Sequence, residues 1–258
     1  MELFDSHAHY DDEHFDEDRE ELLQSIYQSG VTKVISAGYS LESSKKGIAL
    51  ANKYDFIYTT VGISPNDLPA TQEELEKQLE KIEQLAEKEK VVAIGEIGYD
   101  YHYTQQNKEL QKIAFQSQIE IANKKQLPIV IHTREAVMDT IDMIKKIAVP
   151  EKKGVFHCCP FNRELVKEAL KLGFIISFAG PVTFKNSKNA PEIVQMVPLD
   201  RMLIETDSPY LSPEPNRGKR NDSRNVKFIA EKIAEIKQMP VEEIAKITYE
   251  NAKKVFGI

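Results

Sequence analysis

The chain has 258 residues, of which 41% are hydrophobic and 29% are charged, and its formal net charge is -7. This length suits either two small domains or one α/β barrel, a fold of roughly 250 residues. No apolar run approaches the ~20 residues that a membrane-spanning helix needs. The negative charge argues against a nucleic-acid coat protein and a membrane-surface protein. It does not exclude an enzyme that reaches phosphates through a locally basic mouth and bound cations.

The start of the chain and its cysteines indicate the compartment. Acidic Glu2 and Asp5 stand where a secretory signal would have a basic region followed by an apolar stretch. The two cysteines, Cys158 and Cys159, are neighbours, which disfavours a structural bridge and suits a reducing environment. We therefore expect a cytoplasmic protein that does not contact a membrane.

The first feature in chain order is a pair of histidines directly after a short apolar segment. Leu3 and Phe4 are typical of a buried strand, and His7 and His9 follow. Positions two apart on an extended backbone point to the same side, so both imidazoles can reach one cation. Taken alone, the pair is equally consistent with two ordinary histidines near a terminus.

Short β-rich segments then alternate with longer segments whose apolar residues have helical spacing. The strand predictions cover residues 2–4, 33–37, 56–62, 91–95, 128–131, 154–156, 174–178 and 202–204. The helical predictions cover residues 22–27, 75–86, 105–126, 137–147 and 165–172, and two or three further amphipathic helices between 225 and 258. A long, proline-containing loop follows the eighth strand.

Strands that alternate with helices pair in parallel through right-handed crossovers. Eight such units predict a (β/α)8 barrel, with an open doubly wound sheet as the alternative. Polar candidates follow strands one, four, five, six and eight, and only a barrel brings such scattered strand ends to one mouth. We see no linker or composition break, so residues 1–258 are predicted to form a single domain.

Four more potential metal ligands repeat the pattern of the first pair. Glu96, His132, His157 and Asp207 each follow an apolar run of strand length. Imidazole and carboxylate ligands together suit zinc, manganese, iron or magnesium. Six protein ligands exceed what one open catalytic site uses, whereas two ions that share a bridging carboxylate would use all six. We therefore predict two divalent ions per chain, with Mg²⁺, Mn²⁺ and Zn²⁺ as the candidates.

Seven motifs in this order resemble the TatD-type metal-dependent hydrolases, a branch of the amidohydrolase-like barrels that includes deoxyribonucleases. The resemblance spans the whole chain. The motifs are Asp5-Ser6-His7-Ala8-His9, Gly95-Glu96-Ile97-Gly98-Tyr99-Asp100-Tyr101, Pro128-Ile129-Val130-Ile131-His132, Gly154-Val155-Phe156-His157, Gly180-Pro181-Val182-Thr183-Phe184-Lys185, Glu205-Thr206-Asp207-Ser208-Pro209-Tyr210-Leu211 and Arg217-Gly218-Lys219-Arg220-Asn221.

The resemblance implies a role for each candidate ligand. It assigns His7 and His9 to a first metal and His132 and His157 to a second, with Glu96 bridging the two. It places Asp207 at the first metal, where Asp207 orients or deprotonates the attacking water. Glu96 and Asp207 are thus the predicted catalytic residues.

Several charged residues near the predicted mouth are candidate substrate contacts. Arg134, Lys185 and Arg217 follow strands five, seven and eight, and guanidinium groups suit phosphate oxygens. Glu205 is a fourth candidate; it either steadies a metal ligand from behind or is a strand-end acid paired with a lysine. For Lys219 and Arg220, solvated surface charge is the favoured interpretation.

Two loops depart from the family pattern. The family often has histidine-proline after strand three, where this chain has Ser64-Pro65. After the sixth-strand histidine, the family often has aromatic-Ser-Gly one residue later, where this chain has Cys158-Cys159-Pro160-Phe161. Both departures are expected to alter substrate contacts.

The resemblance implies a metal-dependent deoxyribonuclease that trims single-stranded DNA from the 3′ end, with RNA as another possible substrate, and we expect a monomer. Hydrolysis of an amide, lactone or small phosphoester at the same site is the alternative. A non-catalytic metal-binding scaffold is a further hypothesis, and the intact ligand set, Asp207 included, argues against it.

Overall fold

The computed structural model describes residues 1–103, 107–147, 151 and 153–258. Within these residues, eight strands form one parallel sheet in which each strand pairs with the next along the chain. The strands are β1 Leu3–Ala8, β2 Val31–Ser36, β3 Ile57–Val61, β4 Val91–Asp100, β5 Ile129–Arg134, β6 Gly154–Phe156, β7 Ile175–Phe178 and β8 Met202–Ile204.

The last strand returns to the first, so the sheet closes. Ala8 forms a parallel bridge with Ser208 just beyond β8. The His9 N–H donates to the Ser208 carbonyl over 2.7 Å, and the Asp207 N–H donates to the His7 carbonyl over 2.9 Å. The predicted (β/α)8 barrel is therefore confirmed, and the open sheet was the wrong alternative.

Helices follow the strands and cover the outside of the barrel. Several begin with a side chain that accepts a hydrogen bond from the first turn, as Ser40, Thr71 and Asn162 do. The helices are α1 Arg19–Gln28, α2 Leu41–Lys53, α3 Gln72–Leu85, α4 Lys108–Lys125, α5 Val137–Lys146, α6 Arg163–Lys171, α7 Ala190–Met196, α8 Val226–Lys237 and α9 Val241–Phe256. Residues 105 and 106 of the predicted fourth helix lie outside the described residues. Among the helices described, none is both long and apolar enough to cross a membrane.

Three strands continue beyond their predicted ends, and all three carry candidate ligands. β1 continues from Phe4 to Ala8, so His7 lies within it. β4 continues from Gly95 to Asp100, and β5 continues from Ile131 to Arg134, so Glu96 and His132 lie within strands and not after them. Ladder pairing of β4 with β5 continues through Asp100 and Arg134. The prediction ended these strands where the apolar runs end, but backbone hydrogen bonding does not require apolar side chains.

The inside of the barrel has an apolar floor beneath a polar upper layer. Phe4, Ile35, Val130, Val155 and Leu203 are buried together in one cluster. The C-terminal helix α9 adds residues to the same cluster, so it covers the end of the barrel opposite the polar layer. The floor keeps the polar side chains at the strand ends on one side of the molecule.

We expect Phe256→Ala to destabilise the barrel, because Phe256 is buried and its ring lies 6.4 Å from the ring of Phe4. Loss of a buried aromatic side chain costs about 3–5 kcal/mol of unfolding free energy. Urea unfolding monitored by circular dichroism should show an earlier midpoint. Met138→Ala, at a position exposed on α5, is the control and should change stability by less than about 0.5 kcal/mol. Equal midpoints for the two variants would contradict the role given to α9.

Candidate metal centre

The structure brings His7, His9 and Asp207 together at the open end of the barrel. The Nε2 atoms of the two histidines are 3.2 Å apart. Asp207 Oδ1 lies 3.6 Å from His7 Nε2 and 3.3 Å from His9 Nε2. These three residues form one group of ligand atoms that could hold a metal ion.

A second group consists of Glu96, His132 and His157. His132 Nδ1 is 3.2 Å from His157 Nε2 and 2.9 Å from Glu96 Oε1. His157 Nε2 lies 3.5 Å from the same carboxylate oxygen. All six predicted ligands therefore lie at one mouth, in two sets of three.

Glu96 faces both groups, one with each carboxylate oxygen. Its Oε2 is 3.4 Å from His7 Nε2 and 3.8 Å from His9 Nε2. Its Oε1 is turned to His132 and His157 at the distances given above. A carboxylate in this arrangement can bridge two ions.

The separations fit a metal-binding site. Ligands at about 2.0–2.1 Å from a tetrahedral zinc ion are about 3.3 Å from one another, and the donor atoms of both groups are 2.9–3.6 Å apart. The donor set, four imidazoles and two carboxylates, is one that divalent transition metals accept. The residues therefore fit the implied ions in both number and type of ligand.

The charges of the centre also suit a cation. Burial opposes ionisation of Asp207, but the hydrogen bond from His9 and the charges of nearby histidines lower its pKa to about 2. Burial alone would lower the pKa of His9, yet the hydrogen bond and charge of Asp207, with the charge of Glu96, raise it to about 9. A metal ion must displace the proton that this pKa places on His9. Metal binding should therefore release a proton and strengthen as the pH rises.

Asp100 supports His132 from behind, and the sequence analysis gave it no role. His132 Nε2 donates to Asp100 Oδ2 over 2.9 Å, which leaves Nδ1 free to face Glu96. Burial would raise the pKa of Asp100, but hydrogen bonds from His132 and from Asn66, 3.1 Å away, keep it below its usual range. A carboxylate behind a histidine ligand fixes its ring and raises its basicity.

A close backbone approach positions His132 as well. Gly98 pairs with His132 across β4 and β5. Gly98 has a φ of +142°, and a Cβ there would lie 2.0 Å from the His132 carbonyl oxygen. Only glycine permits this register between the two ligand-bearing strands.

Glu205 is fully buried beneath the centre. Its Oε1 accepts the Cys158 N–H over 2.6 Å and lies 3.4 Å from His157 Nδ1. The prediction that Glu205 contacts substrate stays a prediction. Its position matches the alternative interpretation, a residue that steadies a ligand.

Asp5 supports the loop that carries Asp207. It accepts hydrogen bonds from the Thr206 N–H at 2.9 Å and from the Thr206 and Ser223 hydroxyls at 2.5 Å. Burial raises the pKa of Asp5 to about 7, although these hydrogen bonds lower it in part. Asp207 itself has a φ of +58°, and the neighbouring bonds to Asp5 hold the loop in that conformation.

The candidate substrate contacts lie on the rim. Arg134 and Arg217 are exposed and stack on aromatic rings, Arg134 at 4.9 Å over Tyr103 and Arg217 at 4.1 Å over Phe184. Among the described residues, neither guanidinium group has a carboxylate within ion-pair distance. Lys185 is exposed in the loop after β7.

Other residues from the sequence analysis have local partners or are buried. The Arg220 guanidinium donates to Asp18 and to the His14 carbonyl, in agreement with the surface interpretation. Ser64 and Cys159, which mark the two departures from the family pattern, are both buried. Cys158 has a φ of +44° and is held by Glu205 through its N–H.

We expect Asp100→Asn to weaken metal binding at the group that contains His132 by about 10–100-fold, because the ring loses its charged partner. Titration of chelator-stripped protein with Mn²⁺ or Zn²⁺ by calorimetry measures this, and the wild type should saturate at two ions. Asp139→Asn is the matched control. Asp139 accepts a 2.6 Å hydrogen bond from Tyr101 near the end of the same strand but touches no ligand. Equal affinities in both variants would exclude the role given to Asp100.

Comparison with known proteins places the chain among relatives over its whole length. The model of the family described as TatD related DNase matches residues 4–257. The uncharacterized metal-dependent hydrolase YabD of Bacillus subtilis (strain 168) is 43% identical over 256 residues, with 99% of each protein covered. The uncharacterized metal-dependent hydrolase YcfH of Escherichia coli (strain K12) is 36% identical over 264 residues, covering 100% of this chain and 97% of that protein.

A solved structure of a TatD homologue has the same fold as this chain. The crystal structure of YJJV, a TatD homologue from Escherichia coli K12, superposes with a TM-score of 0.92 at 27% identity, covering 99% of this chain and 98% of that one. The family match also includes every residue of both metal-binding groups. The resemblance carried by the seven motifs is thus confirmed, and the chain belongs to the TatD-related DNase family.

Proposed function

We propose that this protein hydrolyses phosphodiester bonds in DNA, with two divalent ions and a water molecule as the nucleophile. The observation that supports this most directly is the orientation of Glu96, whose two oxygens face the two metal-binding groups. The ions, once bound, would polarise a phosphate and lower the pKa of a bound water. Mg²⁺, Mn²⁺ and Zn²⁺ are the candidate ions.

Asp207 is the residue that we assign to the nucleophilic water. Its side chain is 15% exposed, so it reaches the mouth, whereas the side chain of His7 behind it is 1% exposed. Its low pKa keeps it ionised at neutral pH, and an ionised carboxylate can orient a water molecule and accept its proton. Glu96, more deeply buried and held among four histidines, is assigned to the scaffold of the centre.

The rim supports a phosphate substrate. Arg134, Lys185 and Arg217 are exposed around a centre that would itself carry cations, and guanidinium forks suit phosphate oxygens. A carbonyl substrate, such as an amide or a lactone, would need one polarised oxygen and fewer cations. Membership of the TatD-related DNases agrees with a DNA substrate.

Asp207→Asn should reduce turnover about 10²–10⁴-fold, because the shape is retained but the proton acceptor is lost. The measurement is the rate of DNA hydrolysis at saturating metal, with metal content determined on the same samples. Retained folding and retained metal at Glu96, His132 and His157 are expected. Near-normal turnover at full metal occupancy would show that Asp207 does not orient or deprotonate the nucleophilic water.

A comparison of linear and circular DNA tests whether cleavage starts at a strand end. We propose that the enzyme trims single strands from an end, since the ring of loops at a barrel mouth admits a strand end more easily than the middle of a duplex. The 3′ end is the one that the family resemblance implies. Linear single-stranded DNA should be shortened, while a circle of the same sequence should be resistant. Arg217→Ala should slow the trimming, and Arg163→Ala serves as a control. Arg163 is exposed on α6 and paired with Glu192.

Two outcomes would contradict this proposal in different ways. Equal cleavage of the circle and the linear strand would exclude an exonuclease but retain a nuclease. Absence of cleavage of either DNA by metal-loaded protein, together with turnover of amide or lactone substrates, would favour the alternative hydrolase.

A further inference from the structure

The mouth of the barrel is divided into two halves of opposite charge. Loops after β8, β1, β2 and β3, which are contiguous around the barrel, carry what we call the acidic half: Asp11, Asp12, Tyr39, Asp67 and Tyr210. The basic half consists of Arg134 at the end of β5, Lys185 after β7, and Arg217, which belongs to the loop after β8 but stacks on Phe184 after β7. The metal-binding groups lie between the two halves.

The acidic half contains a buried carboxylate, Asp11, that accepts a hydrogen bond from the Ser43 side chain and has one oxygen without a donor in the described part of the chain. Asp11 is only 3% exposed, and its Oδ1 finds no hydrogen-bond partner among the described residues. Its charge acts on both His9 and Tyr39, which places it beside the first metal-binding group. A buried carboxylate oxygen without a donor can accept a hydrogen bond from a group that enters the mouth.

Two tyrosines form the wall of this half next to His9. The ring of Tyr39 lies 5.4 Å from the ring of His9, and the ring of Tyr210 lies 6.5 Å away, both edge to face. Tyr210 is 49% exposed. Its hydroxyl donates to Asp12 over 2.8 Å and its N–H donates to the Asp207 carbonyl over 2.9 Å. It therefore presents a fixed, half-exposed ring to the mouth.

The cations near this half offset its charge only in part. Lys46 is exposed and acts on Asp11. The Arg220 guanidinium is committed to Asp18, and His14 is bound to Asp12 over 2.6 Å. Asp67 lies at the exposed rim, where partial burial and the carboxylates of Glu96 and Asp11 raise its pKa to about 6.

We infer that the acidic half is the subsite for the terminal nucleoside of a DNA strand, and that it excludes a further phosphate beyond that nucleoside. This inference rests on the proposed nuclease function. A terminal nucleoside that ends in a hydroxyl group carries no charge, and its base can stack on Tyr210. Its hydroxyl and amino groups can donate to Asp11 or Asp67. A phosphate at the same place would meet like charge, whereas the phosphates of the remaining strand lie toward the basic half.

The test compares single strands of one sequence that end in a hydroxyl or a phosphate, with the 3′ and 5′ ends varied separately. At low salt, a phosphate on the attacked end should slow trimming by the metal-loaded wild type about tenfold, and a phosphate on the other end should have little effect. Asp67→Asn should reduce this preference to about threefold or less. Asp142→Asn, which removes an exposed carboxylate from α5, should leave it unchanged.

Binding gives a readout that does not depend on turnover. Fluorescence anisotropy with the Asp207→Asn variant should show the same preference for the hydroxyl end. Tyr210→Ala should weaken binding of the hydroxyl-ended strand about tenfold, whereas Tyr210→Phe, which keeps the ring, should weaken it much less.

The outcomes separate the two proposals. Trimming at equal rates for both kinds of end, or an undiminished preference in Asp67→Asn, would overturn the subsite while leaving the nuclease intact. Absence of trimming and of DNA binding would overturn the proposed function and the subsite with it.

Discussion

The structure depends above all on one shared carboxylate. Glu96 is 6% exposed and has four imidazoles around it: His7 and His9 at the end of β1, His132 in β5 and His157 directly after β6. A buried carboxylate in that position is tolerated only if compensating charge surrounds it. Hydrogen bonds and charge from His157, His132 and His7 outweigh burial, so the pKa of Glu96 is lowered well below its usual range. An ionised carboxylate at the centre is thus a property of the fold.

Each of three further buried acids supports a different part of that centre. Asp100 orients His132, Glu205 holds the turn after His157, and Asp5 holds the loop before Asp207. All three are fully buried, and none belongs to the apolar floor of the barrel. A second layer of this kind restricts each ligand to one geometry, which is what a site that must bind two ions at a fixed separation requires.

The sequence predicts the barrel and all six clustered ligands because both depend on local patterns. Apolar runs identify strands, and a polar residue at the end of a run in a parallel barrel must lie at the mouth, as His157 and Asp207 do. The supporting acids depend on contacts between distant strands, and no spacing in the chain specifies them. The position of Asp100 could have been predicted from its spacing. It lies four residues after Glu96 on the same strand and therefore faces the same side of the sheet. No feature of the sequence distinguishes a Glu205 that supports a metal ligand from a Glu205 that contacts substrate.

The division of the mouth explains how a chain of net charge -7 can be suited to a polyanion. Total charge governs long-range attraction, which is screened beyond about 10 Å at moderate salt, while the charges at the site decide which way a substrate lies. In the proposed function, Arg134 and Arg217 would attract phosphates on one side, and Asp12 and Asp67 would repel them on the other. A DNA strand in the electrostatic field of these residues has one favourable orientation, in which its uncharged end lies at the acidic half. Charge asymmetry at the mouth can therefore supply end selection without any element that reads bases.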